Sequence, residues 1–488
     1  MLPANRRCGR RRAGGVAWRP AAALALASGL MAACGAPSPD VAASVPVPAA
    51  FRESGGWTRI VATPGGVSPN WWQAFGDPTL DRLELVAQAA NPSIASAQAA
   101  HREAQAALAE SRAALWPTLS LDAGLSRQRE ASYSARRNDL QPYVWNLSQA
   151  GMSLNWTPDL WGVARDDVAA ARALEAAAKA SEVGVRLATY TLLAANYFEL
   201  RQIDADLMLR RRIRALAVRR AAITRAATTG GTASRDDLVR ARALIDQQDT
   251  RLALLERDRV STEHALAVLT GTAPAEFSVQ AIDAPAPEPL AIGPTLPSEL
   301  LRQRPDIVQA LRRVDAADAS LKAARGAFFP SLTLGGTLGA EAVSVASLLS
   351  VPTAIWSIGP ALAAPLLDGG LRAARVHGAD AARERAIADY RVTVLAAFQE
   401  VEDLLAALQT LRVRDEAARA FADKADALAR SQHAQYQRGL ASLLDDLLAQ
   451  QQALEAKLAW QDDVHERLDV QLSLVKALGG GSLPGLTP

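Results

Sequence analysis

The sequence predicts an α+β membrane protein made of two tandem copies of one unit, with two β-strands per copy joining a sheet that other subunits must complete and very long helices forming the rest. Three observations predict it. The chain repeats itself almost without gaps, short period-two segments fall at equivalent places in both copies, and each copy ends in a proline-free stretch of more than 100 residues.

Self-similarity at a long, fixed spacing is the mark of a duplicated structural unit. Asn91-Pro92-Ser93-Ile94 corresponds to Arg304-Pro305-Asp306-Ile307, and Trp116-Pro117-Thr118-Leu119 to Phe329-Pro330-Ser331-Leu332, both at an offset of 213. Past the next connection the offset becomes 208 and holds through Gly162 and Gly370, Gly231 and Gly439, Ser234 and Ser442, Asp237 and Asp445, and Gly271 and Gly479. The copies run over 80–274 and 298–480. They are joined by the connector 275–297, whose Pro-rich part from Ala281 to Pro297 cannot continue a helix. A short C-terminal tail, 481–488, follows.

Each copy reads helix, strand, strand, long helix, turn, long helix. The first helix follows Asp77-Pro78 in one copy and Pro305 in the other. Then the period changes to two: Leu119, Leu121, Ala123 and Leu125 alternate with Ser120, Asp122, Gly124 and Ser126, and Leu332, Leu334 and Leu338 alternate with Thr333, Gly335 and Thr337. Returning strands are expected at Ala150, Met152, Leu154 and Trp156, and at Ile358, Leu362 and Ala364, with Pro360 interrupting the last. Four strands cannot enclose a barrel. If the chain spans a membrane as strands, other subunits must pair its edges, because every backbone group in lipid needs a partner.

No proline occurs from Asp159 to Ala273 or from Leu366 to Leu483, and Gly230-Gly231 and Gly439 are the natural turns inside those runs. Val163 to Thr228 as a single helix would reach about 100 Å at 1.5 Å per residue. Downstream of the second turn, Leu447, Gln451, Leu454, Leu458, Gln461, His465, Leu468, Leu472 and Val475 alternate spacings of four and three, a coiled-coil seam with three polar members. Aromatics make up only 5% of the chain, which agrees with long helices rather than a compact sandwich.

The N-terminus has the parts of a secretory signal over 1–33. Arg6, Arg7, Arg10, Arg11, Arg12 and Arg19 precede the apolar run Ala21–Ala33, which is too short to span a bilayer permanently. Removing those six arginines takes the formal charge from +2 to −4, which argues against a nucleic-acid partner. Met31-Ala32-Ala33-Cys34 resembles a bacterial lipobox, so Cys34 is the expected lipidation site, carrying S-diacylglycerol and an N-acyl chain, and 34–79 is the lipid-anchored N-terminal segment. The only other cysteine, Cys8, lies in the leader, so neither a disulfide framework nor a cysteine metal site is expected.

The five histidines are scattered, and no H-E-x-x-H, G-x-S-x-G or phosphate-binding loop pattern occurs, so no catalytic residues, metal site or cofactor are expected. The turns between the long helices are different. Gly231-x-Ala233-Ser234-x-x-Asp237 and Gly439-x-Ala441-Ser442-x-x-Asp445 set Gly at a tight turn, Ser where it can cap the returning helix, and Asp in that helix's first turn.

Trp71-Trp72-Gln73-Ala74-Phe75-Gly76-Asp77-Pro78-Thr79-Leu80 resembles the W-W-x-x-F-x-D-x-x-L opening of the TolC-like outer membrane factors. Leu296-Pro297-Ser298-Glu299-Leu300-Leu301-Arg302-Gln303-Arg304-Pro305-Asp306-Ile307 is similar to the L-P-S-x-L-L-x-x-R-P-D-I motif of their lipoprotein branch, which serves RND multidrug pumps. The resemblance runs from about residue 70 to 480. It implies a homotrimer whose twelve strands close a barrel in the outer membrane, among its lipids, and whose helices continue as a tunnel of twelve across the periplasm. It further implies an inner-membrane RND transporter loading this passive, gated conduit through a periplasmic membrane-fusion adaptor, with drugs or other small toxic compounds as cargo and no enzymatic role. Hairpin tips in the family constrict the tunnel entrance. By that resemblance Asp445 lines the constriction, and Asp237 and Tyr436 fall where neighbouring hairpins are linked. Ala441 stands where the TolC pattern has an Arg, leaving Arg438 or Arg235 as substitutes. The alternatives are a duct for type I protein secretion, which shares the tube, and a non-channel lipoprotein that scaffolds the envelope.

Overall fold

The computed structural model describes residues 46–53, 70–129, 144–282, 295, 297–348 and 353–480. The expected signal peptide, Cys34, most of 34–79, most of the connector and the C-terminal tail lie outside the described residues.

The first copy begins with a 3-10 turn, Trp71–Phe75, and two helices, α1 (Pro78–Ala90) and α2 (Pro92–Ala113). Strands β1 (Thr118–Arg129) and β2 (Val144–Trp156) follow, then α3 (Val163–Thr229) and α4 (Arg235–Leu269). The second copy repeats the order as α5 (Pro297–Gln303), α6 (Pro305–Gly326), β3 (Ser331–Ala342), β4 (Ala354–Ala363), α7 (Leu371–Gln437) and α8 (Leu443–Ala477).

The lead-in to the strands is two helices in each copy, where the sequence suggested one. The break falls before a proline both times. Asn91 (ψ 124°) and Arg304 (ψ 121°) are extended because a residue before proline is pushed out of the helical region. Both residues then serve the same end. Asn91 donates from Nδ2 to the Leu269 carbonyl at 2.7 Å, and Arg304 donates to the Ala477 carbonyl at 3.0 Å, so each breakpoint satisfies an orphan acceptor at the end of its copy's last helix. Beside each contact the chain turns on a glycine, Gly271 (φ +69°) or Gly479 (φ +86°). A Cβ there would lie 2.3 Å from the Ala90 carbonyl oxygen or 2.6 Å from that of Gln303, so only glycine fits.

The W-W-x-x-F-x-D run docks on α3. Trp72 meets Tyr190 with ring centroids 4.9 Å apart, Phe75 meets Phe198 at 4.7 Å, and Tyr197 donates its hydroxyl to Asp77. Asp77 also caps α1, accepting from the Thr79 amide at 2.8 Å. Trp71 and Trp72 are 3% and 4% exposed, the main apolar anchor at this level.

α3 and α7 are each 67 residues, about 100 Å at 1.5 Å per residue. α3 packs against α2, α4, α6 and α8, which makes it the element that holds the two copies together. Its buried face runs through Leu187, Tyr190, Leu193, Tyr197, Leu200, Ile203 and Leu207, at helical three- and four-residue spacings.

Candidate functional site

The four strands form one antiparallel sheet in chain order, β1-β2-β3-β4. The register sorts most side chains into a polar and an apolar face, the exceptions being Trp145, Leu147 and Ile355 on the polar one and Arg127, Arg129, Asn146 and Ser148 on the apolar one. One face carries Ser120, Asp122 and Ser126 on β1, Gln149 and Ser153 on β2, Thr337 and Glu341 on β3, and Ser357 on β4, with Ser153 donating to Asp122 at 3.0 Å. The other carries Leu119, Leu121, Leu125, Met152, Leu154, Leu338, Trp356, Ile358 and Leu362. Among the described residues most of that second face is uncovered, and Trp356 is 74% and Ile358 79% exposed. A soluble sheet would bury such residues; lipid accepts them. Among the described residues β1 and β4 each have one neighbour only, so their outer backbone groups are left for other chains. Pro360 forms part of β4 opposite Leu334, tolerated because β4 is an edge strand in the chain.

At the other end of the long helices are two hairpin turns of one construction. Gly231 (φ +76°) and Gly439 (φ +75°) take the left-handed conformation, and the Thr232 and Leu440 amides each bond back to a carbonyl five residues earlier at 2.9 Å. Ser234 and Ser442 are the N-caps of α4 and α8. Their hydroxyls accept from the Asp237 and Asp445 amides at 3.1 Å and donate to the same aspartates at 2.7 Å. In the first tip the box is complete, with the Ser234 amide donating to Asp237 at 3.1 Å. Hydrogen bonds from the Ser234 hydroxyl and amide, with Arg240 nearby, hold the Asp237 carboxyl below the usual carboxylate range.

The structure therefore brings Ser234 to Asp237 and Ser442 to Asp445, and it gives Asp237 a cation, Arg240, at 2.9 Å. Tyr436 sits in the last turn of α7, 36% exposed, and its carbonyl receives the Gly439 amide. Within one chain no hydrogen bond joins Tyr436 to Asp237 among the described residues. A third tip feature has no counterpart in the motif reading. Asp446, 2% exposed, accepts from Gln450 at 2.9 Å and lies 3.0 Å from His433 Nδ1 across the turn. Buried acids are rare and local sequence does not announce them; the pairing of His433 with Asp446 exists only once the hairpin closes.

Two of the three polar seam members on α8, Gln451 and His465, turn toward α3. Arg220 donates to Gln451 at 2.7 Å, His465 Nε2 lies 2.7 Å from Glu199, and Leu458 packs with Leu209 and Ile213. Burial and the neighbouring Asp462 push the Asp206 carboxyl up to about 7. For His465, burial opposes the charge, but the Glu199 hydrogen bond and the Asp469, Glu199 and Asp206 carboxylates outweigh it and raise the pKa.

No helix among the described residues is long and apolar enough to cross a membrane, and no cluster of His, Cys, Asp or Glu there could hold a metal ion. What remains is a two-faced sheet with open edges, joined to helices about 100 Å long that end in capped turns.

Known proteins share this construction. The pyoverdine export outer membrane protein OpmQ of Pseudomonas putida is 30% identical over 475 residues, covering 92% of this chain and 95% of its own. Outer membrane protein OprJ of Pseudomonas aeruginosa is 30% identical over 413 residues, covering 84% and 86%. The open-state crystal structure of the Neisseria gonorrhoeae MtrE outer membrane channel superposes with a TM-score of 0.76 at 27% identity, covering 89% of this chain and 96% of that one. The sequence profile of the outer membrane efflux protein family matches residues 86–272 and 296–480, one match for each copy. With the profile, the relatives and the sheet-and-hairpin geometry in agreement, the chain belongs to the outer membrane efflux protein family, TolC-like channels that serve as the outer-membrane component of efflux pumps and extend into the periplasm.

Proposed function

We propose that this chain is the exit duct of a tripartite RND pump: three copies close a twelve-stranded barrel, a periplasmic adaptor grips the helical tunnel, and an inner-membrane transporter fills it. The observation that carries this reading is the pairing of a sheet whose β1 and β4 edges are open with an uncovered apolar face. Edges of that kind are satisfied in lipid only by closure. Small toxic compounds pass along the polar face, and selection among them belongs to the transporter.

The gate lies at the hairpin tips. Asp445 of three chains lines the constriction, and Tyr436 and Asp237 link neighbouring hairpins. Asp237 suits this because Ser234 and Arg240 already fix its carboxylate in place. Arg240 also stands as the tip cation at a level where the sequence suggested Arg235 or Arg438. Lipid on Cys34 adds a second hold on the membrane, supported by the lipobox-like run Met31–Cys34.

Single-channel recording in planar bilayers tests the proposal. Discrete, long-lived conductance steps from purified trimer are expected. A protein that inserts but never conducts would favour a scaffold instead.

A further inference from the structure

Four ionisable side chains lie on the described strands: Asp122, Arg127, Arg129 and Glu341. They are segregated by sign. Both acids lie on the polar face, and both arginines lie on the apolar face, two and four residues beyond Leu125. Among the described residues no acid shares the arginines' face on any of the four strands.

Position explains how a lipid-facing surface tolerates two cations. β1 starts at Thr118, next to the helices that enter the periplasm, so Arg127 and Arg129, nine and eleven residues further along the strand, lie toward its outer side. The steps from Thr118 to Arg129, at about 3.4 Å each and tilted by roughly 40°, together rise about 29 Å along the membrane normal. The apolar band of an outer-membrane barrel is only about 25 Å tall. The two guanidinium groups thus stand at the upper border of the band, where a long cationic side chain reaches headgroups while its stem stays in hydrocarbon.

We infer that Arg127 and Arg129, with Asn146, form a binding patch for phosphate-bearing lipid headgroups of the outer leaflet. Side chains two apart on a strand share a face about 7 Å apart, and Asn146 is the direct cross-strand partner of Arg127. Two guanidinium forks and an amide then converge on one headgroup, and the planar fork matches phosphate oxygens in pairs. The inference uses the outer-membrane location and the periplasmic direction of the helices, and it is independent of the pump partners and of the tip gate.

The test uses purified full-length trimer in detergent micelles carrying equal phosphatidic acid and phosphatidylcholine, with bound lipids counted by native mass spectrometry. The parent should retain phosphatidic acid preferentially. Each arginine near an anionic membrane surface is worth about a fivefold factor, so Arg127→Gln/Arg129→Gln should lose roughly 25-fold in apparent affinity. Arg127→Lys/Arg129→Lys should keep part of the preference, having charge without the fork. Bilayer conductance of all three proteins should be the same, which shows that the barrel has formed. Equal phosphatidic acid retention by the parent and the glutamine pair overturns the inference. So does full displacement by millimolar inorganic phosphate, since the patch would then read free anions rather than lipid.

Discussion

His465 on α8 lies 2.7 Å from Glu199 on α3, and that contact ties the last helix of the second copy to the first long helix of the first. Around it Gln202 donates to both Asp206, at 3.2 Å, and Asp462, at 3.3 Å, while His465 also pairs with Asp469 at 3.4 Å. Arg210 of α3 and Asp258 of α4 complete the field that these groups feel. The seam between the copies is therefore titratable where most helix seams are apolar.

Its pH dependence follows from the directions of the shifts. Asp206, pushed up to about 7 by burial, holds a proton that the unfolded chain releases near 4, so its contribution falls as pH climbs toward 7. His465, raised mainly by the Glu199 hydrogen bond against the cost of burial, contributes fully below 6.5 and loses that contribution as pH rises through its folded value. Glu199, lowered by His465, acts in the opposite sense and loses its contribution only when pH falls below the ordinary carboxylate range. Hydrogen-exchange protection of 199–206 and 462–469, corrected for intrinsic rates, should be greatest near pH 4 to 5 and fall from there toward pH 8. His465→Gln and Asp206→Asn should each flatten that slope. Protection that is level from pH 5 to 9 in the parent would remove the idea.

Glu84 on α1 is fully buried, with neither carboxylate oxygen hydrogen-bonded among the described residues. Burial, then the nearby Asp81, pushes its pKa up to about 9, so it sits protonated between α1 and α3 at neutral pH. A buried polar group without a partner costs about 1–3 kcal/mol. Glu84→Leu should therefore stabilise the protein by about that amount in chemical denaturation. It should also remove a loss of stability that the parent shows progressively from pH 4.5 to 9. A leucine variant less stable than the parent at pH 7 would mean that the carboxyl has an unseen partner.

How much of this was legible beforehand depended on whether the signal was local. Gly231 and Gly439, each followed by Ser and Asp at fixed spacing, report the hairpin turns directly, because a turn and its cap are built from neighbours in sequence. Leu119 to Leu125 report β1 through their alternation. The break at Asn91 escaped because the Ala-rich run on both sides of Pro92 looks continuous, and the seven-residue α5 ahead of Pro305 escaped because it is too short to show a period; only the extended ψ and the reach to Leu269 and Ala477 give the two junctions their meaning. His433 with Asp446, and His465 with Glu199, were invisible for a different reason. Their partners are brought together by helix packing, across 13 and 266 residues of sequence. The three polar seam positions were noticed, yet what they face could not be read from one helix alone.

Arg304 does more than its counterpart Asn91. Besides the Ala477 carbonyl it donates to Glu400 at 2.7 Å and Asp306 at 2.8 Å while only 9% exposed, so removing it strands two acids at a partly buried site. Asn91→Ala should cost about 1–2 kcal/mol, the value of a cap. Arg304→Ala should cost more, about 2–3 kcal/mol, the range for hydrogen bonds to charged groups, since the Asp306 and Glu400 side chains are 47% and 38% exposed and water screens them. Equal losses in equilibrium unfolding would mean that the ion pairs contribute nothing beyond the shared carbonyl contact.

Cys34→Ser should abolish acylation yet leave substantial trimer, since strands that close on one another satisfy their edges without a lipid. Intact-mass measurement of the mature chain decides the first point. An unmodified protein beginning elsewhere than Cys34 would remove the lipid from the proposal.

At the gate, three Asp445 carboxylates meeting on an axis would repel one another. Unit charges ~6 Å apart interact by roughly 3 kcal/mol at an effective dielectric of 20. The closed tip must then be held by links between chains, for which Tyr436 and the Asp237–Arg240 pair are placed on different hairpins. Asp445→Ala should lower cation preference in bilayer recordings, and it should also weaken the cap of α8, because the Ser442 hydroxyl loses the carboxylate to which it donates. Ser442→Ala separates the two effects: it removes the cap but keeps the charge, so selectivity should stay with the parent. Tyr436→Phe removes one hydroxyl contact, worth about 1 kcal/mol, and should raise the open-to-closed ratio about fivefold without changing trimer yield. If Asp445→Ala and Tyr436→Phe both conduct like the parent, Asp445 is only a first-turn helix acid. The constriction would then belong to the exposed Leu443 and Leu444 beside it.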